Sequence, residues 1–511
     1  MTRSQSPLIF VLLFAIALPS VSHARDWYEY KSDNFTVYSD VSKKRVEKRI
    51  SQLERFRAAA LMITGTPNQK EDQRLKVFYL HKSSEFESFT LERGVVGFYM
   101  ETWDGPMIFT QKSSSLGMPG TGVMYHEYIH HLMRLSSNSV YPMWYSEGFA
   151  EFLATAKFDD GRVTFGGFPE WRVGAFHFGR PLEVAEVLAP DYESDSSAYW
   201  DNFYGSAWFL THYLQFGAQK EHPEYREKVR EYIAAFRAGA DPLISFEQVF
   251  GITPDEMEKK LRKVRDKRLL AGISFDSPEY TKAIARKKLP EIEAAYLLAD
   301  KALEVGNEEL AQEYLRKSLK LAPNWAPALS LQAVLENHKA DKTDIEYAAS
   351  LVIRLRNADL LDARAATNLT HFHVDHLQSL AKTGHWDHGL QQQAIELGKK
   401  AISLNPQSVP AHRYLWMAQM DSQNRAPALK TMMAAFQLDP ESLYINQSVA
   451  FYLADAGRVD LAKPFLERVL SWSHPGRART KAKNLLERQA AEEAATQSDT
   501  GEKITNSAEK S

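Results

Sequence analysis

The sequence has no cysteine in its 511 residues. Disulfides, thiolate nucleophiles and cysteine-held metals are therefore excluded, and any bound metal must rest on histidine and carboxylate. It also lacks a charge excess: 62 Lys and Arg against 65 Asp and Glu leave a net charge of -3. No global field is available to recruit nucleic acid or an anionic membrane surface, and a nucleic-acid role is set aside on that ground. Its apolar run Leu8–Leu18 spans eleven residues, well short of the ~20 that a membrane-spanning helix needs. What is present, 44% hydrophobic and 25% charged residues, is the balance of a soluble globular protein with length for about three domains.

Thr2-Arg3, the short apolar run and the small residues Ser22 and Ala24 have the layout of a secretory signal peptide. Residues 1–24 are read as that signal, with the mature chain starting at Arg25 and no stable membrane insertion after cleavage. Export without a single disulfide points to a bacterial periplasm.

Short strands are expected at Trp27–Tyr30, Phe35–Tyr38, Leu75–Leu80, Val95–Met100 and Met107–Thr110, with a turn at Asp104-Gly105-Pro106 and a long helix over Lys43–Met62. Apolar residues at helical spacing predict helices over Gly122–Leu135 and Glu147–Ala156, with Glu147 opening the second. From about Asp201 onward the pattern reads as almost entirely helical. The basic run Lys282–Lys288 reads as a solvated boundary, and the polar residues from 488 on as a disordered tail.

Two histidines four apart in HEYIH, His126 and His130, project from one face of a helix and can share one ion. Glu127 then stands beside the position of a metal-bound water, where a general base is needed. A catalytic zinc takes a third protein ligand, and Glu147 in WYSEGFAEF is the candidate, with sixteen residues between it and His130. His131, the alternative, points about 100° away around the helix. Glu151 lies one turn past Glu147, placed to accept the second N–H of a ligand imidazole. An exposed histidine-rich helix is the bland reading, but Met124, Ile129 and Leu132 make the rest of this helix apolar.

HEYIH with PMWYSEGFAEF resembles the gluzincin metallopeptidases with a peptidase MA-like domain, over about residues 30–270. The resemblance implies an α+β zincin-like catalytic domain over residues 25–285, zinc held by His126, His130 and Glu147, Glu127 as general base and Glu151 orienting an imidazole. It also implies a downstream tyrosine that stabilises the oxyanion; Tyr204 in DNFYGSAWFLTHYL is the candidate, with Tyr199, Tyr213 and His212 as alternatives. The chain departs from the family's aminopeptidases in having no Gly-Ala-Met-Glu-Asn motif. GVVGFYM is the candidate for the edge strand where extended substrate pairs, and it offers no acid before Glu101.

Beyond the basic run, Asn405-Pro406, Asp439-Pro440 and His474-Pro475 recur at 34 and 35 residues, the period of a helix–turn–helix repeat. AQEYLRKSLKLAPNWAPA and PALKTMMAAFQLDPES resemble tetratricopeptide repeats, which implies an all-α helical repeat (TPR-like) domain over 286–487 that binds peptides or a protein partner, though a helical cap that only packs on the first domain fits the pattern too. Residues Leu329–Leu390 depart from the period. His371, His373, His376, His385 and His388 fall in this region without a matching carboxylate and are read as surface or groove histidines. The expected activity is zinc-dependent hydrolysis of a peptide or protein substrate; the rival is a non-catalytic periplasmic scaffold working through its repeats.

Overall fold

The computed structural model describes residues 25–491 apart from 69–73, 91–96, 113–119, 137–140, 160, 173–180, 193, 195, 268–271, 339–341, 358–361, 421–423 and 473–476. The expected signal lies outside the described residues.

Among the described residues six strands form one mixed sheet: β1 (Tyr28–Lys31), β2 (Phe35–Ser39), β3 (Leu75–Leu80), β4 (Gly97–Thr102), β5 (Gly105–Gln111) and β9 (Ala285–Lys288), in the order β4-β5-β3-β2-β1-β9. The central strands β2, β3 and β5 run parallel, while β4, β1 and β9 pair antiparallel to their neighbours. Alternation along the strands splits the sheet's side chains into two cores. Val77 and Tyr79 of β3 and Ile108 of β5 face one core, Phe78, Leu80, Met107 and Phe109 the other.

Two helices cover the first face. Helix α1 (Lys43–Thr64) buries Val46, Ile50, Leu53 and Phe56 at three- and four-residue spacing. Helix α3 (Gly120–Ser136) buries Met124, Tyr125, Tyr128, Ile129 and Leu132. The rings of Phe56 and Tyr125 stack at 3.9 Å and 10°, fixing α3 against α1. Removing a buried ring of this kind costs about 3–5 kcal/mol. Because 124, 125, 128, 129 and 132 turn inward, 126, 127 and 130 must turn the other way.

The other face of the sheet is covered by the short helix α2 (Ser83–Ser88), with Phe86 and Phe89 in its core, and by the repeat half. Helices Glu291–Glu304 and Glu308–Leu321 place Leu298, Ala299 and Leu315 against Phe78 and Phe109. Four more helix pairs follow: Ala326–His338 with Lys342–Asn357, Ala363–Lys382 with His388–Leu404, Val409–Ala418 with Ala426–Leu438, and Leu443–Asp455 with Val459–Trp472. Side chains of Asn307, Asp362, Asp387, Ser408 and Ser442 cap first-turn N–H groups. Pro323, Pro406 and Pro440 follow the second helix of their pairs. The stretch that departs from the period holds ordinary antiparallel helices, one of them the twenty-residue Ala363–Lys382.

The β4–β5 hairpin joins the halves. Its tip, Trp103-Asp104, turns at Gly105, whose φ of 92° favours glycine. Trp103 stacks on Tyr444 at 5.2 Å and meets Trp416 edge-on at 5.5 Å. Asp104 lies 3.4 Å from the buried Lys301. Glu101 accepts the Leu443 N–H at 2.9 Å, supplying from the sheet one cap of a repeat helix.

Several expectations need correction. Helix α4 (Met143–Ala154) starts four residues before Glu147, because the carbonyl of Pro142, its N-cap, already accepts the N–H groups of Tyr145 and Ser146. The stretch after Asp201 is almost entirely helical as expected, apart from two short strands: β8 (Ile273–Asp276) pairs with β7 (Arg162–Phe165), itself paired with β6 (Lys157–Asp159), and β9 closes the main sheet. The basic run is therefore no mere boundary, and the sheet half extends to Lys288. Arg286 stacks over Tyr28 at 3.6 Å and donates to Tyr30, while Lys282 and Lys288 pair with Asp33 and Asp26. A charged edge of this kind discourages pairing with another chain. Residues 477–491 are helical, so 488–491 do not belong to a disordered tail, and the rest of the expected tail lies outside the described residues.

Candidate metal centre

The outward face of α3 meets α4 at three donor atoms. His130 Nε2 lies 3.1 Å from His126 Nε2 and 3.2 Å from Glu147 Oε2, and His126 Nε2 lies 3.3 Å from the same oxygen. An ion with tetrahedral bonds of 2.0–2.1 Å needs donors about 3.4 Å apart. The three are close to that spacing. Burial opposes a charged His126, yet the hydrogen bond to Glu147 and the charges of Glu151, Glu127 and Glu147 hold it up at about 9. Glu147 is buried too, and the two imidazoles hold its carboxyl well below the usual range despite that burial.

Close helix packing brings α4 here. A Cβ on Gly148 would overlap the Ala207 carbonyl and Thr211 Oγ1, so only glycine lets α4 lie on helix Ser197–His212. That contact sets Glu147 beside Tyr204. The Tyr204 ring stands 6.4 Å from that of His126, under the Arg172 guanidinium at 4.8 Å. The charge of Glu147 first, and burial second, push the Tyr204 hydroxyl far up, so it stays protonated and able to donate.

Glu151 does not hydrogen-bond an imidazole. Its Oε1 is 3.7 Å from His126 Nδ1, too long for a hydrogen bond, and that buried nitrogen has no hydrogen-bond partner among the described residues. The carboxylate instead accepts from Trp171 Nε1 at 2.8 Å and from Arg172 Nε at 3.0 Å, while Arg172 also donates to Asp201 at 2.8 Å. Glu151 thus anchors a bridge from α4 to the tyrosine helix. His130 Nδ1 faces Ser146 Oγ at 3.3 Å.

The remaining candidates separate cleanly. His131 is buried towards Tyr128 and Tyr99, away from the trio. Tyr199 accepts the Asp191 N–H, Tyr213 packs on Tyr225, and His212 on Phe152 and Trp208. Glu127, half-buried, raises the pKa of both His126 and Tyr204 by its charge and so shares their surroundings. Sequence reasoning missed Gly148, Trp171, Arg172 and Asp201. A glycine inside a helix, directly after a ligand candidate, was the one available signal.

Residues 292–324, the first helix pair, match the tetratricopeptide repeat family. No curated protein matches the chain. Among solved structures it is similar to a thermophilic TPR protein of Thermus thermophilus, at 18% identity and a TM-score of 0.31, over 38% of this chain and 98% of that one. It is also similar to MamA from Desulfovibrio magneticus, at 16% identity and a TM-score of 0.26, over 36% and 96%.

Proposed function

We propose that the sheet half, residues 25–288, is a zincin-like metallopeptidase domain of gluzincin type, exported to the periplasm and acting on a peptide or protein substrate. The observation that carries this reading is the convergence of His126, His130 and Glu147 on one point, every donor pair within 3.3 Å. The donor set, two imidazoles and a carboxylate, suits zinc better than calcium or magnesium. When bound, zinc supplies a Lewis acid and lowers the pKa of a bound water.

The chain's own residues have the following parts. Glu127 takes the proton of the attacking water and delivers it to the leaving amine. Tyr204, held protonated, donates to the developing oxyanion. Arg172 bridges Glu151 and Asp201 and so fixes the tyrosine helix relative to α4. β4 is a sheet edge that extended substrate can extend by main-chain pairing. Its far end is occupied, since Glu101 caps a repeat helix and is not free to hold a substrate amine.

A second reading rests on the repeat match: a scaffold that binds a protein partner through its repeats, with the sheet half holding metal without turnover. The comparisons speak for the repeat half alone and support this reading better than hydrolysis, which stands on the geometry of the trio. Zinc content measured beside peptide cleavage, in wild type and Glu127→Gln, separates the two. Metal retained with cleavage by neither favours the scaffold.

A further inference from the structure

The string HFHVDH holds a carboxylate partner that sequence reading passed over. His371 and Asp375 stand four apart on helix Ala363–Lys382 and share a face. His338 reaches them from the end of helix Ala326–His338. Asp375 Oδ2 lies 3.0 Å from His371 Nε2 and 3.3 Å from His338 Nε2, and the donor atoms of all three fall within 4.8 Å of one another. The other histidines of the cluster are apart from this point: His373 is buried, His376 packs by Phe372, and His385 and His388 are exposed.

The surroundings ask for a cation. His338 Nδ1 lies 3.2 Å from Glu308 Oε1. A neutral imidazole has one N–H; given to Glu308, it leaves a bare lone pair on Nε2 aimed at the anionic Asp375. A second proton or a metal ion between them resolves that clash, and a carboxylate behind a ligand imidazole is the usual support of a metal site. The His371 ring is fixed by stacking on Tyr414 at 4.1 Å and 18°. Arg413 is engaged with the Trp103 ring at 4.4 Å and the Tyr414 ring at 4.9 Å.

We propose that His338, His371 and Asp375 form a second divalent-cation site, for zinc or a similar borderline metal, with Glu308 orienting His338. Two imidazoles and a carboxylate select such ions over calcium and magnesium. Three protein ligands leave a coordination position open. His338 and His371 line a cavity of about 680 Å³ between the repeats and the β4–β5 hairpin, with Arg364, Asn368, Lys301 and Tyr296 also on its wall. An ion here ties two adjacent helix pairs together and faces whatever enters that cavity. This site is independent of the one on α3.

The test is a count of zinc equivalents. Purified full chain is stripped with chelator, titrated with Zn²⁺ by calorimetry and analysed for metal after desalting, with far-UV circular dichroism as the folding check. Wild type is expected to hold two equivalents, and the folded His126→Ala/His130→Ala protein one. Adding Asp375→Asn removes that one; adding Glu308→Gln weakens it about 10–100-fold. His338→Gln, at an exposed position, removes a ligand without opening the core and serves if Asp375→Asn does not fold. A folded His126→Ala/His130→Ala protein that binds no zinc overturns the proposal. A wild type that holds one equivalent, kept in His126→Ala/His130→Ala but lost with Asp375→Asn, supports this site and sinks the α3 site instead.

Discussion

Gly148 lies so close to the Ala207 carbonyl that the two helices carrying them touch backbone to backbone, with Thr211 Oγ1 on the same spot. This contact sets the angle at which Glu147 enters the trio. Gly148→Ala is expected to cost about 1–3 kcal/mol, as overpacking does, and to weaken zinc binding. Thermal melts with and without zinc check it; an unchanged melting temperature would mean that the helices can separate at no cost.

Arg172 holds the wholly buried Glu151. Arg172→Met strands that carboxylate, and losing one partner of a buried pair costs about 3–5 kcal/mol. Urea denaturation reads the loss. Arg172→Lys is expected to recover only part of it, because the ammonium cannot reproduce the forked contacts to Glu151 and Asp201.

Asp439 gives a pH dependence with a definite sign. Burial, and then the charge of Glu101, push its carboxyl from 3.8 up to about 7, with His131 opposing and Glu441 adding to the rise. Between those two values the folded chain keeps a proton that the unfolded chain has lost. This residue's contribution to stability therefore falls as pH rises from about 4 to 7 and stays low above. Asp439→Asn is expected to melt higher than wild type at pH 8, with the gap closing near pH 4; a gap of about 1 kcal/mol is worth ~2–4 °C. A gap that does not vary with pH contradicts the assignment.

The parts of the fold visible in the sequence were those set by local spacing. Leu75–Leu80 emerges with the bounds its pattern indicated, and the four-residue separation of His126 and His130 is enough to put both on one face. The helix turns of the repeats are marked by Pro323, Pro406 and Pro440. What stayed hidden depends on distant partners. β9 is a strand because β1 pairs with it, across a separation in sequence that no local pattern bridges. Arg172 belongs to the site through Glu151 and Asp201, neither of them near it in sequence. Asp375 was in plain view, four residues after His371, but its meaning needs His338 from another helix.

The central claim, that the trio on α3 and α4 with Glu127 makes a hydrolytic centre, is tested most directly by peptide cleavage at equal zinc occupancy. Wild type and Glu127→Gln are loaded with zinc, their metal content is matched, and a mixed peptide library is followed by mass spectrometry. Cleavage by wild type, reduced at least ~100-fold in Glu127→Gln as loss of a general base implies, is the expected result. Equal cleavage by both proteins, or none by a fully loaded wild type, contradicts it.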